Sequence, residues 1–218
     1  GSVSGKNRGF TVHPIGGIVP IMERHRYLDL AKIIIAVRET IPANRPIHLF
    51  GCGHPMLFPM SIALGVDIFD SAAYALFARD GRLLTPDGTV RIENLKEWPF
   101  ASRILNGISP SEVREMEDTE RTNLLARYNL EITQAELARC REAVRSGKIW
   151  ALVEQRSHSS PELREAFLFL KDRLIQNNDV SSSVIIRSSS PIRSGSERWT
   201  SDSSSRPHLL HANTLIRE

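Results

Sequence analysis

The sequence predicts an α/β fold in which short parallel strands alternate with helices, followed by a mainly helical region and a serine-rich tail. Short apolar runs end in turns, and apolar residues at helical spacing lie between them. Hydrophobic residues make up 41% and charged residues 24% of the 218 residues, which is ordinary globular usage. Alternating strands and helices with short connections favour parallel pairing with right-handed crossovers. A Rossmann-like sheet and part of a (β/α)8 barrel both satisfy this pattern.

The elements of the α/β part are predicted in chain order from apolar periodicity and from the residues that end each run. The strands are expected at 10–15, 46–50 and 66–70. The helices are expected from Tyr27 to Val37, ending near Pro42, and from Met56 to Leu64, ending at Gly65.

The pattern changes after Asp70. Residues 71–98 predict a loop and a short hairpin, because Asp87-Gly88 is a turn signal. Ser109 before Pro110 is typical of a helix start, and 109–170 are expected to be mostly helical. One of these helices is expected to bury Ile132, Leu137 and Val144 and to expose its charges to solvent, namely Glu131, Glu136, Arg139, Arg141 and Arg145 together with Thr133. Residues 181–205 contain twelve serines and predict a linker or weakly ordered segment.

Charge and cysteine content limit the function classes. The net charge of +3 is compatible with a nucleic-acid partner but does not identify one. Two cysteines, Cys52 and Cys140, are too few for a disulfide framework or for a multi-cysteine zinc site. No apolar run approaches the ~20 residues of a membrane span, and no secretory signal is recognisable. We therefore expect a cytoplasmic protein without a membrane partner.

The predicted strand ends are the candidate site, since ligands of parallel α/β proteins collect at the carboxyl ends of strands. Gly16-Gly17 and Gly51-Cys52-Gly53 are glycine turns, which let backbone amides approach a ligand closely. Asp70 directly follows the third strand, where a carboxylate serves as a nucleophile, a general base or a metal ligand. A helix cap is the plain alternative for Asp70.

Two further residues at the second strand end are weaker candidates. The turn at 51–53 lacks the third glycine of a dinucleotide fingerprint, and no Gly-Lys-Ser/Thr follows it. His54 precedes Pro55 and is expected to be a structural residue of the turn. Cys52 has no recognisable His–Asp arrangement around it, which does not favour a cysteine nucleophile.

The sequence contains several segments whose spacing matches a known protein family without gaps. Three of them are His48–Pro55, Leu64–Tyr74 and Ala78–Arg82. Together with Pro14–Pro20 and 109–130, they resemble the archaeosine tRNA-guanine transglycosylase family. The similarity runs from about residue 10 to residue 177, so it covers most of the chain.

The resemblance implies a (β/α)8 barrel that exchanges a D-arm guanine of tRNA for 7-cyano-7-deazaguanine. Asp70 occupies the position of the nucleophile that attacks the ribose C1′. Arg79 and Arg82 fall in a loop that touches RNA in the family, with plain surface charge as the alternative. Phe50 matches a residue of the base pocket, and Ile18 and Val19 match the backbone amides that face the cyano group. The implied substrate-binding residues are Gly16, Gly17, Ile18, Val19, Phe50 and Gly51.

The chain resembles only the later part of the family's barrel. The opening half of the barrel carries a second Asp, the general acid/base candidate, and that half has no counterpart here. Three strands leave two open sheet edges, which soluble proteins rarely tolerate uncovered. We therefore expect a separate chain to supply the N-terminal barrel half, leaving Ile47, Leu49, Ile68 and Phe69 without neighbours in isolation. A truncated chain would give the same sequence.

The zinc site of the family is a second departure. Its Cys-x-Cys-x-x-Cys and later His align with Phe100, Ser102, Leu105 and Tyr128. None of these side chains is a thiolate or an imidazole, which tetrahedral zinc requires. We expect no zinc and no other cofactor, with apolar packing holding the local helices.

These observations predict three regions: a partial barrel with the nucleophile loop over 1–98, a helical region similar to the family's zinc subdomain over 99–178, and a serine-rich tail or small domain over 179–218. The expected function is a subunit of a split glycosyltransferase (a pentosyltransferase) of the tRNA-guanine(15) transglycosylase type. A non-catalytic tRNA-binding or scaffolding subunit is the alternative. The sequence also leaves the same base exchange on DNA open.

Overall fold

The computed structural model describes residues 11–176, 200–207 and 209–210. They form a mixed α/β protein, as the sequence predicts. The strands are β1 (His13–Ile15), β2 (Ile47–Phe50), β3 (Ile68–Asp70), β4 (Arg82–Thr85) and β5 (Gly88–Arg91). The α-helices are α1 (Val19–Glu23), α2 (Tyr27–Thr40), α3 (Phe58–Ala63), α4 (Ala73–Arg79), α5 (Pro110–Glu115), α6 (Asp118–Arg145), α7 (Ile149–Arg156) and α8 (Pro161–Gln176). Short 3₁₀ turns occur at Pro55–Leu57, Ile92–Asn94, Ser157–Ser159 and Ser201–Ser205.

The first three strands form one parallel sheet in the order β1-β2-β3. Parallel strands need a crossover connection, and α2 and α3 lie in the two crossovers. Ile15 pairs with Leu49, and Leu49 pairs with Phe69. Phe50 pairs with Asp70, so these two side chains are neighbours at the carboxyl edge of the sheet.

One face of this sheet packs against helices, and the other is open within the described residues. Ile47 and Leu49 are fully buried in a core shared with Leu30 and Ile34 of α2. The expectation that Ile47 and Leu49 lack neighbours is therefore wrong, because they belong to the helix-covered face. Side chains alternate across a strand, so the intervening residues share the open face. These are Pro14, His48, Phe50, Ile68 and Asp70, with Phe50 45% and Ile68 39% exposed.

The region after β3 contains a helix that the sequence did not indicate. The predicted hairpin is confirmed, since β4 and β5 pair antiparallel around Asp87. The expected loop before it instead contains α4. This helix buries only Ala78 and has no side-chain cap at Ala72, so its sequence carries little helical signal.

Asn129 of α6 connects this helix and hairpin to the helical region. Its side-chain oxygen accepts a hydrogen bond from the N–H of Leu84 at 2.8 Å. Its amide nitrogen donates to the carbonyls of Tyr74 and Arg82, each at 3.1 Å. One fully buried amide thus satisfies backbone groups of both α4 and β4.

The predicted helical region is confirmed over 110–176. Ser109 starts α5 with a capping box, in which its hydroxyl accepts from the Glu112 N–H and the Glu112 carboxylate accepts from the Ser109 N–H. A second apolar core forms between this region and the hairpin. It contains Ala78, Leu83, Ile92, Leu105, Val113, Leu125, Tyr128 and Ile132.

The predicted buried face and the predicted solvated face of α6 are each wrong at one position. Val144, predicted to be buried, is 51% exposed. Glu136 was expected to face solvent and is fully buried, where its carboxylate accepts a hydrogen bond from Arg156 at 2.7 Å. The reason is tertiary: α7 folds back on α6 and brings a guanidinium to that position.

The described part of the serine-rich tail packs against the helical region, whereas the rest, including 177–199 and 211–218, lies outside the described residues. Glu154 of α7 accepts hydrogen bonds from Thr200, Ser203 and Arg206. Asp202 pairs with Arg164 and Lys171 of α8. Among the residues the structure describes, no helix is both long and apolar enough to cross a bilayer.

Candidate active site

Three chain segments meet at the carboxyl edge of the parallel sheet. Gly16 and Gly17 follow β1, Gly51 follows β2, and Asp70 ends β3. The pairing of Phe50 with Asp70 places the expected base-pocket residue beside the expected nucleophile. The structure therefore brings these sequence-predicted residues to one edge of the sheet.

Asp70 is held at one of its two carboxylate oxygens. The Gly51 N–H donates a hydrogen bond to Oδ1 at 2.9 Å. The His48 Nε2 lies 3.3 Å from the same oxygen. Within the described residues Oδ2 accepts no hydrogen bond, and the side chain is 50% exposed. The carboxylate is thus oriented through Oδ1, and Oδ2 has no hydrogen-bond partner among the described residues.

The turn that supplies this hydrogen bond depends on glycine. Gly51 has a φ of 77°, a left-handed conformation that side chains disfavour. A Cβ added to Gly51 would lie 2.6 Å from Cγ2 of Val19, so the β2 turn and the start of α1 approach too closely for any side chain. Ile18 is buried beneath this contact and Val19 is exposed.

A cleft of about 780 Å³ lies beside these strand ends. Its walls come from α1, the turns after β2 and β3, α4 and the hairpin, and they include Val19, Gly51, Gly53, Phe77, Arg82 and Thr89. The Arg82 guanidinium stacks on Phe77 at 4.0 Å from the ring centroid and pairs with Asp80 at 2.5 Å. Arg79 is exposed at the end of α4. Asp70 does not line this cleft and borders a separate cavity of about 140 Å³.

Two other titratable groups near the turn have structural surroundings. Burial raises the pKa of the Cys52 thiol to about 12, so the thiolate needed by a nucleophile does not form at neutral pH. Burial, with smaller contributions from His25 and Arg82, lowers the pKa of His54 to about 4. The neutral His54 ring accepts from the Met56 N–H and contacts the Thr89 hydroxyl at 3.0 Å. The structural interpretation of His54 agrees with this geometry.

The four positions that align with the family's zinc ligands do not form a metal cage. Leu105 and Tyr128 are buried in the second core, whereas Phe100 lies at the surface. The Ser102 hydroxyl donates to the carboxylate of Glu131, which also accepts from the Arg103 N–H at 3.2 Å. In the part of the chain that the structure describes, no group of three or more His, Cys, Asp or Glu side chains is arranged to hold a metal.

The chain matches the family model described as Queuine tRNA-ribosyltransferase over residues 3–162. It belongs to the queuine tRNA-ribosyltransferase family. The match includes the three parallel strands, the hairpin and most of the helical region.

Three curated relatives of this family member carry the name tRNA-guanine(15) transglycosylase. The protein of Thermococcus onnurineus is 43% identical over 175 residues, which are 79% of this chain and 30% of the relative. The protein of Thermococcus kodakarensis is 46% identical over 158 residues, which are 72% of this chain and 27% of the relative. The protein of Methanocaldococcus jannaschii is 46% identical over 162 residues, which are 73% of this chain and 25% of the relative. The chain therefore spans less than a third of the length of each of these relatives.

One residue of the site was not singled out from the sequence. The sequence pattern alone gives His48 no chemical role, although His48 begins the segment His48–Pro55. The alternation of side chains along a strand is the signal that could have identified it. Residues two apart on β2 share a face, so His48 lies on the same face as Phe50 and Asp70.

Proposed function

We propose that this chain carries the nucleophile-bearing part of an archaeosine-type tRNA-guanine transglycosylase. It would exchange a D-arm guanine of tRNA for 7-cyano-7-deazaguanine through a covalent bond between Asp70 and the ribose. The observation that supports this most is the Asp70 carboxylate at the carboxyl edge of the sheet, with Oδ1 tied to the Gly51 N–H and Oδ2 open. Membership of the family and the shared name of the relatives support the substrate class.

The proposed chemistry consists of two displacements at one carbon. Oδ2 of Asp70 attacks the ribose C1′, the C1′–N9 bond breaks, and guanine leaves with the electron pair. The N9–H proton of the incoming 7-cyano-7-deazaguanine then passes to the acid/base group that protonated the leaving guanine, the N9 electron pair attacks C1′, and the bond between C1′ and the Asp70 carboxylate breaks. Two inversions restore the original configuration. A carboxylate already held beneath the sugar lowers the entropic part of the barrier.

Base and RNA binding are proposed for the surroundings of Asp70. Phe50 offers an exposed aromatic ring beside the carboxylate, on which a purine-like base can stack. Backbone amides of Ile18 and Val19, after the Gly16-Gly17 turn, are proposed to face the cyano group. Arg79 and Arg82 are proposed to contact phosphates of the tRNA, which attract guanidinium groups irrespective of sequence.

The open sheet face supports the proposal that these strands are the later part of a (β/α)8 barrel. In a closed barrel this face would be the interior, filled by side chains of the remaining strands. The half-exposed Phe50 and Ile68 fit such a position. We propose that a separate chain supplies those strands together with the acid/base group that protonates the leaving guanine.

The decisive experiment is Asp70→Asn, which preserves shape but removes the negative charge. In the assembly with the remaining barrel strands, we expect the variant to bind tRNA but to lose guanine exchange by several powers of ten, since covalent catalysis lowers the barrier by several kcal/mol. Labelled guanine exchange measures the rate, and a denaturation-resistant protein–RNA band reports the adduct when the incoming base is withheld.

The control is Asp172→Asn, on α8 and absent from the residues that line the two cavities. Exchange at the wild-type rate by Asp70→Asn would show that Asp70 is not the nucleophile. If the wild-type assembly and the variants all bind tRNA but none of them exchanges guanine, the result would favour a non-catalytic tRNA-binding subunit.

We also propose that this member of the family folds without its zinc. The Ser102–Glu131–Arg103 hydrogen bonds and the packing of Leu105 and Tyr128 support this, because they already join the loop to α6. Elemental analysis is expected to find no stoichiometric zinc, and a chelator is expected to leave the melting temperature unchanged. One zinc per chain would contradict the alignment of these four positions.

A further inference from the structure

The open sheet face carries a histidine that the chemistry proposed above does not use. His48 lies on β2, and its ring packs against Phe50 with centroids 4.1 Å apart. Its Nε2 lies 3.3 Å from Oδ1 of Asp70, the oxygen that also accepts from the Gly51 N–H. The side chain is only 19% exposed, although the face around it is open.

The Nε2 atom of His48 is buried and makes no fully aligned hydrogen bond within the described residues. Native proteins rarely leave a buried polar atom in this state without a reason. The neighbouring acceptor is Oδ1 of Asp70, and contacts at catalytic groups are often long before substrate binds. The unmatched atom and the candidate nucleophile therefore face each other.

We propose that His48 is a positioning residue for Asp70. Its Nε2–H, together with the Gly51 N–H, holds Oδ1, so that Oδ2 is the oxygen presented to the ribose C1′. Phe50 holds the imidazole ring in the plane that this contact needs. The inference rests on the covalent mechanism proposed above and adds a residue to it.

The two donors act differently in the two displacements. In the first, the Oδ2–C1′ bond forms and guanine leaves with the C1′–N9 electron pair, so the donors fix the carboxylate but their hydrogen bonds weaken as its charge is lost. In the second, the Oδ2–C1′ bond breaks and its electron pair returns to the carboxylate. Donors already at Oδ1 stabilise that returning charge, and no proton leaves His48.

The second displacement, in which the incoming base releases the ribose from Asp70, is therefore expected to depend on His48. We call this step discharge of the adduct. In the complete assembly on tRNA, we expect His48→Leu to slow discharge by the incoming base about tenfold or more, the effect of losing one hydrogen bond to a charged group. The adduct accumulates, so kcat and KM for tRNA are expected to fall together while kcat/KM for tRNA changes little. His48→Gln, which can place an amide N–H near the position of Nε2, is expected to recover most of the rate.

The experiment forms the adduct without the incoming base and then follows its decay in rapid-quench samples after 7-cyano-7-deazaguanine is added. His158→Gln, an exposed histidine in the 3₁₀ turn after α7, is the matched control. Melting temperatures show whether all variants fold. If His48→Leu does not fold, the test is the rate of adduct discharge by His48→Gln compared with wild type.

Discharge by His48→Leu at the wild-type rate would overturn the inference. So would a folded His48→Gln variant as slow as His48→Leu, because the effect would then not follow the donor. A wild-type assembly that forms no adduct, or an Asp70→Asn variant that exchanges normally, would instead refute the covalent mechanism and this inference with it.

Discussion

Gly53 shows how closely single residues of the site are packed. A Cβ added to Gly53 would lie 2.2 Å from both Cβ and Oγ of Ser71, far inside van der Waals contact. Ser71 directly follows Asp70, and its hydroxyl accepts from the Ala73 N–H at 2.9 Å to start α4. The absence of a side chain at Gly53 therefore determines where the residue after Asp70 can lie.

Gly53→Ala is expected to displace Ser71 and with it Asp70. Overpacking of this kind typically costs about 1–3 kcal/mol of unfolding free energy. Urea unfolding measures that loss, and guanine exchange is expected to fall further than stability alone explains. Gly16→Ala is the stability control, because nothing lies within 4 Å of its added Cβ. Equal unfolding free energies for the two variants would contradict the proposed crowding.

At the scale of secondary-structure elements, one arginine joins two helices and the hairpin. Arg156 at the end of α7 pairs with Glu136 of α6 at 2.7 Å and with Asp87 of the β4–β5 turn. Arg156 and Glu136 are 4% and 2% exposed, so both charges lie away from water. Because Asp87 also lines the cleft, the same contact positions one wall of the candidate site.

Arg156→Met is expected to destabilise the protein strongly, because it leaves the Glu136 carboxylate buried without its partner. Removing one member of a buried pair costs about 3–5 kcal/mol of unfolding free energy. A second change, Glu136→Leu, is expected to recover a large part of this loss. Arg145→Met, which affects an exposed pair with Glu142 at 4.0 Å, is the control and should cost under about 1 kcal/mol. Urea titrations that give similar losses for both arginines would contradict the burial argument.

At the scale of the whole molecule, the open sheet face governs assembly. Ile68 lies on this face, on an edge strand that has no further strand beside it within the described residues. Strand edges with apolar side chains promote association unless they are covered. Burial of this face by the remaining barrel strands would remove both the apolar surface and the free edge.

Ile68→Lys is therefore expected to prevent assembly with the chain proposed to supply the remaining strands, while leaving the helix-covered core intact. Size-exclusion chromatography with light scattering measures the complex, and wild type alone is expected to self-associate. Val144→Lys, at a similarly exposed apolar residue on α6, is expected to assemble normally. A monomeric wild-type chain that melts sharply and is active alone would contradict the split-barrel proposal.

Short sequence patterns, each made by a few neighbouring residues, predict much of this fold. The three parallel strands, the hairpin at Asp87 and the capped start at Ser109 each follow from a few neighbouring residues. The sequence does not indicate helix α4, because Ala72 provides no side-chain cap and the helix buries only Ala78. It does not indicate the burial of Glu136, because the partner Arg156 lies twenty residues away. In the site, Asp70 and the glycine turns were predictable from position, whereas the approach of His48 to Asp70 depends on strand register.

The hydrogen-bond partners of Glu154 also determine how late during synthesis its carboxylate can be buried. The donors to its buried carboxylate are Thr200, Ser203 and Arg206, which leave the ribosome long after α7 has emerged. Until then the carboxylate must keep its water, since an unpaired buried charge is costly. Chains that stop before residue 200 are therefore expected to keep the Glu154 carboxylate hydrated and to pack this end of α7 less tightly.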